Sequence, residues 1–391
     1  MFTKETAFIL GAGASWHYGY PTGEALVKKV IEKAGILLVY LDWSATNAHN
    51  ILPNFLGVAD AAAASPDEIR AHWQAAYAQC LELKAGLEQV NPLVIDYYLG
   101  WNPHLQTIGR LLIAWVILEC EHIFQRDGGN VNHRELLINS PYGDERVRAN
   151  DLDLKRYKDD WCRFVIHQIA INCEHSHDLF ENKVRFITFN YDISLERSLY
   201  KGLRHIKRFL PEDVVKFCAG DRVLHVYGEV RENFTEEPSS LNWGGQGPAL
   251  GPWLSDRKTS LDYIYNASED IYVIDPDDKE TNKDVIEKAV NAIDGAKYIY
   301  ILGYGFDPNN SARLGLPKLL NYQRMKDQYV FFTNFGNINR VNKRVSNLFF
   351  GTANHFPPGG PQVEGSSGSY YYERSFREVY EALELDFDWF D

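Results

Sequence analysis

Residues Glu5 to Ser15 read ETAFILGAGAS, and the fold turns on them. The first six form an apolar run of strand length, the last five a turn of small residues, and from Thr22 to Ala34 the pattern becomes helical. A strand, a glycine turn and a helix in that order make a phosphate-type loop. Its two glycines let backbone N–H groups approach an anion closely, and a following helix N-terminus adds a favourable dipole.

Outward from this unit, further apolar strands are expected at Lys183–Thr188, Arg222–Tyr227, Asp270–Ile274, Lys297–Leu302 and Gln328–Thr333. Helices are expected at Ile193–Gly202, Asp284–Ala292 and Asn337–Asn347. Such alternation predicts an α/β protein with a parallel sheet covered by helices on both faces. Asp42 to Glu181 is mainly helical in pattern, with helices at Pro66–Val90, Leu105–Phe124 and Leu154–Cys173 and loops at Gly128-Gly129-Asn130 and Pro141–Asp144. Gly35–Trp43 fits either a second strand or a buried continuation of the preceding helix. The expected division is a discontinuous sheet domain over 1–41 and 182–350, a helical insertion over 42–181, and a C-terminal region over 351–391. That last region comprises a flexible Gly/Pro/Ser-rich stretch, Gly351–Ser369, and an acidic helix, Glu373–Glu384.

Over 391 residues, 40 Lys and Arg against 53 Asp and Glu leave a net charge of −13, which disfavours direct nucleic-acid binding over the surface as a whole. The most apolar helix segment, Leu111–Cys120, is closed by Arg110 and interrupted by Glu119, so no membrane span is expected. Lys4 and Glu5 stand where a signal peptide needs its apolar core, which predicts a cytoplasmic protein. The cysteines, Cys80, Cys120, Cys162, Cys173 and Cys218, form no CxxC pair; buried free thiols and no metal site are expected.

The glycine loop departs from the hydride-transfer fingerprint GxGxxG, because Trp16 stands at its third glycine and the next glycine is Gly19. Asp42 lies too far along for the usual ribose-binding acid, and a plain tight turn remains an equal reading of the loop taken alone. Three later strand ends add to it: Ile187-Thr188-Phe189-Asn190-Tyr191-Asp192, Val226-Tyr227-Gly228, and Ile301-Leu302-Gly303-Tyr304-Gly305-Phe306-Asp307. In this order the four segments resemble the sirtuin family, and more closely its bacterial sirtuin-like, NAD-degrading members of antiphage defence.

The resemblance implies a Rossmann-like fold that binds NAD across the C-terminal edge of the sheet. Gly11, Ala12, Gly13 and Ser15 would hold the pyrophosphate, with Thr22 beside them; Gly303, Gly305 and Phe306 would flank the adenosine ribose, and Asn334 the adenosine part. Asn190 and Asp192 match the family's catalytic motif, although an N-cap role is an equal reading of Asp192. The family's histidine position is occupied by Tyr227, with His225 two residues earlier. On a strand these two share a face, about 7 Å apart. Three readings stay open: His225 serves as base, Tyr227 orients ribose or water, or hydrolysis has been lost. His17 is a lesser substitute. Without a four-cysteine zinc module, cleavage of NAD to nicotinamide and ADP-ribose is expected rather than deacylation, with no zinc. The resemblance further implies an abortive-infection effector, held silent until a HerA-like ATPase, a phage-derived activator or homo-oligomer assembly triggers it. The alternative is a catalytically inactive module that binds NAD or ADP-ribose to regulate a complex.

Overall fold

A computed structural model describes residues 1–47, 65–126, 136–137, 146–147, 161–230, 254–273, 282–316, 329–334, 338–350 and 371–374. The chain forms two compact units, one of Met1–Tyr18, Val131–Val226 and Asn282–Asp391, the other of Gly19–Asn130 and Tyr227–Thr281.

The first unit is built on β1 (Thr6–Leu10), β4 (Val184–Thr188), β5 (Val223–His225), β6 (Tyr298–Leu302), β7 (Tyr329–Thr333) and β8 (Tyr371–Arg374). A separate antiparallel pair, β2 (Leu136–Leu137) and β3 (Arg146–Val147), lies outside this sheet. The six strands pair in the order β5-β4-β1-β6-β7-β8, every pair parallel. Counted along the chain this is the order 3-2-1-4-5-6 of a doubly wound, Rossmann-like α/β sheet, as the strand and helix alternation predicted. All five residues of β1 are buried, which is why its sequence runs apolar without alternating. Register places Phe8 beside Phe186 on one neighbour and Tyr300 on the other, and Tyr300 beside Phe331. Their rings stack at 5.2, 5.0 and 5.0 Å, so an aromatic ladder crosses the sheet at strand spacing. Around β4 the connecting helices are α5 (Cys162–Ala170), α6 (Ser194–Arg204) and α7 (Pro211–Ala219), and around β6 and β7 they are α9 (Lys283–Gly295), α10 (Pro308–Arg313) and α11 (Asn339–Phe350).

The second unit is helical: α1 (Gly23–Asn47), α2 (Pro66–Val90), α3 (Ile95–Trp101), α4 (Gln106–Arg126) and α8 (Leu254–Ser268). Ser65 and Glu68 form a reciprocal capping box at the start of α2, with Pro66 at its first position. Gly35–Trp43 is helix, continuous with α1. Val27, Val30, Ala34, Leu37, Tyr40 and Leu41 recur at helical spacing and are all buried. Lys33 ties α1 to α4 through Glu119 at 2.7 Å.

Three other expectations are corrected. The strand expected to Tyr227 ends at His225: Val226 and Tyr227 form a turn and Gly228 takes φ +72, a left-handed conformation. The expected strand Asp270–Ile274 is reduced to a single antiparallel bridge between Ile271 and Gly228. Where the helix Glu373–Glu384 was expected to begin, Tyr371–Arg374 instead pairs in parallel with β7, in keeping with the strand preference of its tyrosines. The rest of that helix, Gly351–Ser369, residues 154–160 and the loops at 128–130 and 141–144 lie outside the described residues. Among the described residues no helix is long and apolar enough to cross a membrane.

Candidate functional site

In a doubly wound sheet, ligands settle outside the C-terminal strand ends where the winding reverses. Here that point lies between β1 and β6, and the loops that follow them are Gly11–Ser15 and Gly303–Phe306. The two loops touch backbone to backbone. Gly11 N donates to Leu302 O and Gly13 N to Gly303 O, both at 3.0 Å, while Ala14 N donates to Gly11 O at 2.8 Å. A Cβ on Gly303, whose φ is +58, would lie 2.2 Å from Ala14 N; one on Gly11 would lie 2.6 Å from Gly303 O. The glycines therefore serve first to let these loops interlock, and three of the loop's N–H groups are already bonded within the protein. Trp161, buried and stacked on Phe8, donates its indole N–H to Ala14 O at 2.8 Å and fixes the loop from the α5 side.

The last residue of the loop joins it to the segment after β4. Ser15 Oγ donates to Asp192 Oδ2 at 3.0 Å and accepts from Asn190 Nδ2 at 3.0 Å. Because the carboxylate can only accept, the serine proton points to Asp192, and its lone pair requires a donor from Asn190. The amide orientation of Asn190 follows, and it leaves Oδ1 buried without a hydrogen-bond partner. Thr188 Oγ1, at the end of β4, accepts from Asn190 N at 3.0 Å and sets the turn.

The N-cap of α6 is Ile193, not Asp192; Asp192 stands one residue before it, and its Oδ1 accepts from Ser194 N at 3.2 Å and from the Ser194 hydroxyl. It is buried to 5% exposure. Burial pushes its carboxyl above the usual carboxylate range, opposed by the hydrogen bonds of Ser194 and Ser15 and by the charge of His225. The two oxygens of Asp192 serve different partners, Ser15 on one and Ser194 on the other.

His225, the last residue of β5, is almost wholly buried, with Nδ1 3.0 Å from Asn190 O and Nε2 2.7 Å from Glu196 Oε1. Its carbonyl accepts from Asn282 Nδ2 at 3.0 Å. Glu196, in the first turn of α6, was not singled out from sequence; the available signal was an acidic residue four positions past Asp192, in the first turn of the helix that follows it. Tyr227 belongs to the second unit and accepts there, through its carbonyl, from Tyr272 N at 2.8 Å. The shared strand face expected for His225 and Tyr227 does not exist.

Of the other residues singled out, Phe306 is buried with φ +49, an uncommon conformation for a bulky side chain, and its ring meets Tyr304 and Phe332 edge-on at 5.3 and 5.5 Å. Gly305 is exposed, with nothing within 4 Å of a Cβ placed on it. Asn334, directly after β7, bonds to the start of α11: its Oδ1 accepts from Ile338 N at 3.1 Å and its Nδ2 donates to Asn342 Oδ1 at 2.6 Å. Thr22 precedes α1 in the second unit, where its carbonyl accepts from Leu26 N at 2.7 Å. His17 falls in the short turn Trp16–Tyr18, and Asp42 lies exposed on α1, so it follows no strand. All five cysteines are free and buried.

The first unit thus gathers Ser15, Asn190, Asp192, His225 and Glu196 from three strand ends into one hydrogen-bonded cluster. Such a set supplies a buried acceptor, a carboxylate and a serine hydroxyl beside a glycine loop. No family model, no curated protein and no solved structure matches this chain.

Proposed function

We propose that this chain cleaves NAD to nicotinamide and ADP-ribose at the C-terminal edge of β1, β4 and β6, as the sirtuin-like NAD-degrading family does. The observation that carries this reading is the unpartnered, buried Oδ1 of Asn190 within the Ser15–Asn190–Asp192 cluster. A buried acceptor without a donor is costly, and a ribose hydroxyl or a held water supplies the missing proton.

The chemistry asks for such a set. The bond between C1′ of the ribose and the pyridinium nitrogen breaks with its electron pair passing to nicotinamide, which leaves neutral, and the ribose becomes oxocarbenium-like. Water then adds to C1′ and loses a proton. In this reading Asp192, which accepts from Ser15 on one oxygen and from Ser194 on the other, gives up one of these bonds to stabilise the cationic ribose and to accept that proton. Asn190 holds ribose hydroxyl or water in line. Activity in the cell would be restrained until a HerA-like ATPase, a phage-derived component or self-assembly releases it.

One observation favours the alternative, a binding module that holds NAD or ADP-ribose without cleaving it: both ring nitrogens of His225 are already engaged, so the ring offers no free base. Incubating the purified chain with NAD over a protein concentration series separates the two. Equal amounts of nicotinamide and ADP-ribose support cleavage, calorimetric binding without products supports the module, and neither binding nor products removes both.

A further inference from the structure

The surroundings of His225 tie its protonation to that of Glu196. Its ring nitrogens face two oxygens at hydrogen-bond distance, the main-chain carbonyl of Asn190 and a carboxylate oxygen of Glu196. A main-chain carbonyl cannot donate, and neither can an ionised carboxylate. Beside an ionised Glu196, a neutral imidazole, with one N–H and one lone pair, would set a nitrogen lone pair against an oxygen lone pair on one side; it fits only if Glu196 is itself protonated and donates to Nε2. The imidazolium, with N–H on both nitrogens, satisfies both partners. Ring and carboxylate are 8% and 6% exposed, so each charge needs the other to be tolerated there. Other groups bear on the pair, the Glu229 carboxylate among them, whose oxygen lies within 4.8 Å of the ligand atoms of both. Asp192 interacts with the His225 charge, and on α7 the Cys218 thiol is pushed up by burial and then by the Glu196 carboxylate.

We propose that Glu196 is a positioning residue: it holds His225 as an imidazolium whose Nδ1–H clamps the Asn190 carbonyl and thereby sets the Asn190 amide in the cluster. The proposal deepens the NAD-cleavage reading and rests on it for its catalytic consequence. His225 then accepts no proton from water or ribose, and that task falls to Asp192.

The test is nitrogen NMR of the full-length chain labelled with nitrogen-15 at histidine, with no NAD present, so the outcome does not depend on whether NAD is cleaved. The wild-type protein at about pH 8, above the ordinary histidine value of about 6.5, should show one ring protonated on both nitrogens. In Glu196→Gln that signal should be lost and replaced by a neutral tautomer. If the wild type cleaves NAD, Glu196→Gln should lower kcat, up to about 100-fold, with KM little changed, as expected for a displaced positioning group. A wild-type spectrum in which every ring is neutral at that pH overturns the proposal, and it does so even if the variant fails to fold. An imidazolium that persists in a folded Glu196→Gln protein overturns it too, whereas a wild type with the imidazolium but no products removes only the NAD-cleavage reading.

Discussion

Replacing Gly303 by alanine tests the claim that the glycine pattern exists for loop interlocking. The added Cβ would sit 2.2 Å from Ala14 N and 2.3 Å from Gly13 C, both backbone atoms that no rotamer change can move aside. Overpacking of this kind costs about 1–3 kcal/mol. The left-handed φ of +58 adds about 1–2 kcal/mol for any residue with a Cβ. Together they predict a loss of roughly 2–5 kcal/mol, and for a unit of this size a melting temperature lower by roughly 5–15 °C. Gly305 provides the internal control, two residues away in the same loop with open space where its Cβ would go. Gly305→Ala should fall within about 1 kcal/mol of wild type and lean towards stabilisation, because alanine restricts the unfolded chain. Parallel calorimetric melts of the three proteins read both effects. Equal shifts for the two variants, or a Gly303→Ala protein as stable as wild type, would refute the loop-interlock reasoning.

Asp192→Asn should raise stability at neutral pH. Burial lifts the carboxyl pKa in the folded state above its unfolded value, so the wild type loses stability as pH rises from the ordinary carboxylate range through the raised value, and the variant should lack that loss. Chemical denaturation at several pH values checks the sign, and a variant less stable than wild type near pH 7 would contradict it. Trp161→Phe keeps the stack on Phe8 but leaves Ala14 O without its donor; it should cost about 1–3 kcal/mol in a denaturant melt, and no measurable cost would sink the assignment. The native protein should react slowly with a thiol reagent and the unfolded protein rapidly at five sites, because every cysteine is buried and burial lifts the Cys80 thiol to about 12. Fast stoichiometric labelling of the native chain would show that reading to be wrong.

Much of the sheet was legible because its central strands are buried on both faces. ETAFIL, VRFIT and YIYIL are mainly apolar runs, with the exposed Arg185 the exception inside β4, and each marks a strand whose limits hold to within about a residue. Helix α2 was readable end to end, since Ser65, Pro66 and Glu68 announce its start in the sequence itself. What failed depended on distant contacts. Gly35–Trp43 has an apolar content that suits a strand as well as a helix, and its burial against α2 and α4 decides the matter. RVLHVY looks like six residues of strand, yet the left-handed turn at Gly228 ends pairing at His225. In the candidate site, Asn190, Asp192 and Ser15 could be singled out because glycine loops and strand ends are local features. The bond from Ser15 to Asp192 spans 177 residues, and the one from His225 to Glu196 spans 29, so no local pattern reveals either.

The most direct measurement is nicotinamide release from NAD by the wild-type chain beside Asn190→Ala, with NAD binding by each followed by calorimetry. The account predicts release by the wild type, and a loss of release in Asn190→Ala with binding retained, because the variant removes the buried acceptor and the donor to Ser15 Oγ but leaves the glycine loop intact. Release that continues unchanged in Asn190→Ala would place the chemistry elsewhere and contradict the account.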